Sequence, residues 1–124
     1  MKYSLVTLQV LNPDPFVDFF HGIMKMPIAE RYKIDDGEIV FLGSAGEPMI
    51  ELVASPRGKD MTYTGFSIGF DVPSLKETTA LLEGKGYLRI KGPISPNPAV
   101  VFSFFSGPGG IEIEILEYKK QPVS

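Results

Sequence analysis

Ile50-Glu51-Leu52 closes a strand-like run in the first half of this chain, and Ile113-Glu114-Ile115 closes a matching run 63 residues later. At the same offset Phe41-Leu42-Gly43 answers Phe104-Phe105-Ser106, and Gly46 answers Gly109. Near each start, Leu5-Val6-Thr7-Leu8-Gln9-Val10 answers Ser67-Ile68-Gly69-Phe70-Asp71-Val72 at an offset of 62. Two copies of one module are too few for a solenoid, which needs three or more stacked repeats. One copy alone would be marginal, because a domain of about 60 residues buries only about 60% of its unfolded surface. The sequence therefore predicts a single domain over residues 1–124 made of two dependent modules, about 3–56 and about 63–118.

Composition narrows the function classes. Twelve Lys and Arg against fifteen Asp and Glu give a net charge of −3, and the basic residues are scattered rather than clustered. Nucleic acid is an unexpected partner, because that electrostatic footprint is missing. No apolar run approaches the roughly 18 residues of a membrane span. Met1-Lys2-Tyr3-Ser4 leads straight into an alternating strand with no signal-peptide core, so the expected location is cytoplasmic. Cysteine is absent, which removes disulfide and thiol chemistry. A hydrophobic content of 44% leaves apolar surface for a dimer interface or a pocket.

Each module reads β-α-β-β-β. Residues 3–11 alternate, with Val6, Leu8 and Val10 on one face and Leu5, Thr7 and Gln9 on the other. Asn12-Pro13-Asp14-Pro15 offers cap candidates and a proline suited to a first turn. Phe16, Phe20, Ile23 and Met24 then fit an amphipathic helix of about three turns. Strands follow near 28–34, 37–43 and 48–55, with Asp36-Gly37 expected as a hairpin turn in which glycine takes positive φ. In the second module Ser74-Leu75-Lys76-Glu77 is a capping box, Leu75, Leu81 and Leu82 form the expected buried stripe, and Gly84 or Gly86 ends the helix. Strands are expected near 87–92, 99–105 and 111–118. Gly92-Pro93-Ile94-Ser95-Pro96-Asn97-Pro98 reads as a loop, being too rich in proline for a central strand. Gly107-Pro108-Gly109-Gly110 reads as a tight turn rather than a phosphate loop, since no helix follows it, and 119–124 as a loose tail.

The two faces of these strands carry the functional argument. Ile50 and Leu52, like Ile113 and Ile115, belong on the helix side, so Glu51 and Glu114 point to the opposite face. Thr7, Gln9, Ser67 and Asp71 share that face, and Phe102 and Phe104 are candidate stacking walls for a flat ligand. The fold class is α+β: two tandem βαβββ modules whose mixed sheets curl into an open cup, with the helices outside.

The duplicated β-α-β-β-β plan, the Phe19-Phe20 pair and the ending FFSGPGGIEIEILEY resemble the vicinal oxygen chelate superfamily. Glyoxalase I, extradiol dioxygenases and the fosfomycin and bleomycin resistance proteins belong to it. The resemblance covers residues 3–118 and implies a metal site at Leu5, Glu51, Ser67 and Glu114. Both glutamates are present, but leucine and serine stand where nitrogen donors are usual, and neither is a good ligand for a transition metal. No transition metal is expected; a hard cation such as Mg²⁺ on Glu51, Glu114 and Asp71 is the remaining metal option. Iron-dependent dioxygenation needs two histidines, and the chain has only His21, on the first helix.

Two readings follow. One is a glyoxalase/bleomycin-resistance-like protein that binds a small aromatic or cationic molecule without the usual transition metal, as a homodimer. The other is a glyoxalase-like lyase, isomerase or epimerase in which Glu51 and Glu114 act as acid and base or hold a hard divalent metal. The resemblance leaves open whether the cup closes within one chain or across a dimer.

Overall fold

The computed structural model describes residues 1–119, and the chain divides into two units with the boundary between Thr62 and Tyr63. The first unit contains β1 (Leu5–Val10), α1 (Asp14–Val17) running into a π-helical stretch (Asp18–Ile23), β2 (Ile28–Ile34), β3 (Gly37–Leu42) and β4 (Met49–Ala54). The second contains β5 (Ser67–Asp71), α2 (Leu75–Gly84), β6 (Arg89–Asn97), β7 (Val100–Ser106) and β8 (Glu112–Tyr118). Their sheets have the same topology, β1-β4-β3-β2 and β5-β8-β7-β6. In each, the first and last strands of the module pair in parallel and the other neighbours pair antiparallel. The predicted pair of βαβββ modules is what the chain forms.

In each unit, one hydrogen bond or ion pair identifies the face that meets the helix. Arg31 lies opposite Val40 in the sheet and its guanidinium reaches Asp14 at the start of α1, at 3.9 Å. Glu117, two residues beyond Ile115, accepts a hydrogen bond from the Leu75 N–H at the start of α2, at 2.7 Å. On these faces Leu8, Val10, Val40, Leu42, Ile50 and Leu52 are buried in the first unit, and Phe105, Ile113 and Ile115 in the second. Burying one such side chain stabilises the fold by about 1.5–3 kcal/mol. Val6, Ile68 and Phe70 share this side but are only half-buried, and Phe66 is exposed.

The helices depart from simple periodicity. After one α-helical turn the first widens, so that the Met24 N–H bonds the Phe19 carbonyl five residues back. The wide turn buries Phe19 and Phe20 beside Phe16 and Val17, with the two phenylalanine rings edge to face at 5.2 Å. It also carries Ile23 and Met24, which an α-helical period would bury, to half-exposed positions. The N-cap of α1 is Pro13, without a side-chain cap bond, and Asn12 just before it forms a local turn, its Oδ1 accepting from the Asp14 N–H. In α2 the Ser74 hydroxyl accepts from the Glu77 N–H at 3.1 Å, the serine half of the predicted capping box. The end is a Schellman motif: Gly86 takes φ +90° while Tyr87 and Gly86 donate to the Leu82 and Glu83 carbonyls. Leu75 and Leu82 are buried, but Leu81 is 44% exposed and lies off the stripe.

Two turn assignments change. The first hairpin turns on Asp35 and Asp36, and Gly37 is the first residue of β3, without positive φ. Glycine is needed there because a Cβ would overlap the Ala54 carbonyl oxygen. The segment 92–98 is not a loop: β6 continues through it to Asn97. It can do so because β6 is an edge strand, where a proline without an N–H breaks no second ladder. Its register with β7 slips repeatedly, so Gly92 and Pro93 together oppose Ser103. Gly107–Gly110 forms the expected tight turn, with Gly109 and Gly110 at positive φ. Of the expected tail, Lys119 donates its N–H to the Ala99 carbonyl, and the remainder lies outside the described residues.

Candidate functional site

In each unit the glutamate sits in a cross-strand row on the face away from the helix. In the first, β1, β4 and β3 align Thr7, Glu51 and Phe41. The Thr7 hydroxyl donates to Glu51 Oε1 at 2.6 Å, a short hydrogen bond. Phe41 flanks the acid on its other side and stacks against Tyr32 from β2, centroids 6.5 Å apart and planes 29° off parallel. Leu5 and Gln9 lie one step either way from Thr7 on the same face. At the Leu5 end, a cavity of about 390 Å³ is lined by Leu5, Phe41, Gly46 and Met49, with Lys2 and Glu47 at its polar edge.

The second unit repeats the row with different neighbours. β5, β8, β7 and β6 align Gly69, Glu114, Phe104 and Lys91. Gly69 stands where Thr7 stands in the first unit, so β5 offers this carboxylate no cross-strand hydroxyl. Lys91 places its ammonium 4.8 Å from the Phe104 ring centroid, and Phe102 meets Phe104 edge to face at 5.7 Å. Ser67 and Asp71 flank Gly69 on this face, both exposed.

The alternation along β7 is now fixed: Phe102 and Phe104 share the face of Glu114, while Ser103 and Phe105 are buried toward the helix. Each unit therefore brings its own predicted residues together, Thr7 with Glu51 and Phe104 with Glu114. Phe41, Tyr32 and Lys91 were not foreseen as site residues. Phe41 was within reach, since it stands 63 residues before Phe104. Lys91 was not, because two bulges decide where β6 points its side chains.

The donors in these rows do not fit a glyoxalase-type transition metal. Leu5 offers no lone pair, Ser67 offers only a hydroxyl, and one Glu51 oxygen is already held by Thr7. Within either unit, among the described residues, no three histidine, aspartate or glutamate side chains converge. His21 faces away from this chemistry, its Nδ1 bonding the Met26 carbonyl at 2.8 Å. Among the described residues no helix is long and apolar enough to cross a membrane.

Solved structures of the same architecture span nearly the whole chain. An antibiotic binding protein, TnmS3 from Streptomyces sp. CB03234, is 17% identical with a TM-score of 0.73, covering 96% of this chain and 97% of that one. The fold is that of the glyoxalase/bleomycin resistance proteins. The trypanothione-dependent glyoxalase I of Leishmania major is 18% identical with a TM-score of 0.79, covering 94% of this chain and 86% of that one. A member of the glyoxalase/bleomycin resistance protein/dioxygenase superfamily from Sphaerobacter thermophilus is 19% identical with a TM-score of 0.72, over 94% and 97%. At such identities the likeness is one of fold. No protein-family model and no curated protein matches the sequence.

Proposed function

We propose that this chain is a small-molecule binding protein whose glutamate rows, one at Glu51 and one at Glu114, each serve to take a partly aromatic or cationic ligand, as a homodimer and without a transition metal. The observation that carries this reading is the repeated row: in both sheets a glutamate lies beside a phenylalanine, on the face away from the helix. Rings give apolar burial and stacking, and a carboxylate beside them fixes the orientation of a donor or cation. The cavity at the Leu5 end of the first row supports it, with a volume in the range of small-ligand sites. The antibiotic-binding counterpart of the same fold supports the ligand class. Exposed Leu88 and Ile90 support association of copies.

A thermal-shift screen of cationic and neutral aromatic metabolites tests the proposal. A ligand at 100 times its Kd adds about 2.7 kcal/mol of stability. Truncating one glutamate that bonds a charged ligand group should weaken binding by about 1.5–3 kcal/mol. A hit that stabilises the Glu51→Ala, Glu114→Ala double variant as well as the parent would place the ligand elsewhere.

One observation favours an enzyme instead: Gly69 stands beside Glu114 where Thr7 stands beside Glu51, so the second carboxylate lacks the hydroxyl that holds the first. A base is more available in that state than Glu51 is beneath the Thr7 hydroxyl. Deuterium uptake from D2O into a bound carbon acid, lost in Glu114→Gln, would favour it over simple binding.

A further inference from the structure

The second unit holds another cavity, of about 360 Å³, on the side of its sheet that meets α2. Leu75, Lys76 and Thr79 of α2 line it, with Arg89 and Pro93 of β6, Val101 and Ser103 of β7, and Glu117 of β8. Ser103 is 1% exposed, and its hydroxyl has no hydrogen-bond partner among the described residues. A buried hydroxyl left alone is costly, on the scale of the hydrogen bond it lacks, so the site asks for a polar occupant.

The edge strand makes this opening. Arg89 pairs with Phe105 and Lys91 with Phe104, so a slip at Ile90 sends Arg89 to the helix side and Lys91 to the opposite face. Gly92 and Pro93 then bulge over Ser103, and a Cβ on Gly92 would come within 2.6 Å of the Ser103 hydroxyl. No long side chain covers the hydroxyl from β6. Arg89 and Lys76 bring two positive charges to the rim, and among the described residues neither has an ion-pair partner. The single acid, Glu117, is engaged by the Leu75 N–H at the positive end of α2. Leu75, Pro93 and Val101 supply apolar wall.

From these residues we infer a second ligand site, distinct from the glutamate rows, that takes a small organic anion. Its carboxylate or phosphate group accepts from Arg89, Lys76 and the Ser103 hydroxyl, and a short apolar body packs on Leu75, Pro93 and Val101. The proposal does not depend on the function assigned to Glu51 and Glu114.

Amide chemical shifts followed by NMR during titration with butyrate, monobutyl phosphate and butanol test it. One or both anions should move the amides of Leu75, Lys76 and Ser103 and saturate within about 10 mM. The amides of Glu51 and Glu114 should stay still. The anion that binds tells carboxylate from phosphate as the natural head group. Arg89→Gln, on an exposed strand position, should weaken binding at least tenfold, and Ser103→Val should weaken it while keeping the fold. Butanol acting as strongly as the anions would overturn the inference. So would shifts unchanged in both variants, or no shift in the parent.

Discussion

Val40 and Ser103 stand 63 residues apart at equivalent places, each on the third strand of its unit and each facing the helix. Val40 is fully buried beside Arg31, whose guanidinium bonds both Glu38 oxygens, at 2.8 and 3.1 Å, and reaches Asp14. Ser103 is just as buried but lies under the Gly92-Pro93 bulge, with no such arm above it. The equivalent of Glu38 is Val101, and that of Ala54 is Glu117. Unit one closes its helix side with an apolar residue and an ion pair; unit two keeps a hydroxyl and a space. The core positions between them hardly change: Leu42 and Phe105, Ile50 and Ile113, Leu52 and Ile115 are all buried. A duplicated scaffold thus retains its packing and diverges where the edge strand reaches over it.

Removing that shared packing should carry the heaviest penalty. Leu42→Ala and Phe105→Ala remove equivalent side chains, each 0% exposed, and should cost about 2–5 and about 3–5 kcal/mol. Because a unit of this size is marginal alone, both variants should lower one common transition in calorimetry. Two transitions, each shifted by only one of the substitutions, would show that the units fold independently.

How much of this was legible in the sequence depended on the kind of force involved. Strand faces were, because alternation is a direct readout of burial: Ile50, Glu51 and Leu52 behave as their pattern predicts. Caps with a local chemistry, such as Ser74 with Glu77, were too. The π-helical turn at Phe19 and Phe20 was not, since its cause is tertiary packing of two rings rather than propensity. Gly37 was assigned to the right hairpin for the wrong reason; the demand comes from Ala54, seventeen residues on. Prolines hid the strand in 92–98, because their penalty depends on whether the strand is at an edge, and strand order is a property of the whole sheet. In the glutamate rows, Thr7 beside Glu51 followed from alternation, whereas Lys91 over Phe104 required a register set by bulges.

Exchanging the two helix-side residues should move stability by less. Val40→Ser puts a hydroxyl into the closed side of unit one and should destabilise by about 1–3 kcal/mol. Ser103→Val removes the orphaned hydroxyl from unit two, and urea denaturation should find it neutral to stabilising in the absence of ligand. If Ser103→Val destabilises as much as Val40→Ser, the serine is held by bonds that the comparison omits.

The weakest contrast is the Arg31–Glu38 ion pair, which among the described residues has no counterpart in unit two. The Arg31 guanidinium, bonded to Glu38, holds that carboxyl below its ordinary value of 4.5. Glu38 is therefore deprotonated in the folded state at pH values where the unfolded chain already binds protons. Its stabilisation is complete above the ordinary value and is lost as pH falls through the depressed folded one, below which both states are protonated. The side chains are 37% and 21% exposed, so solvent and salt screen the pair. Glu38→Gln should cost about 0.2–1 kcal/mol at pH 7 in low salt, the range for exposed pairs. Urea titrations of parent and variant at falling pH should converge, and added salt should narrow the gap at neutral pH. A gap that persisted in strong acid would mean that Glu38 acts through packing against its neighbours, and the two helix sides would then differ in shape more than in charge.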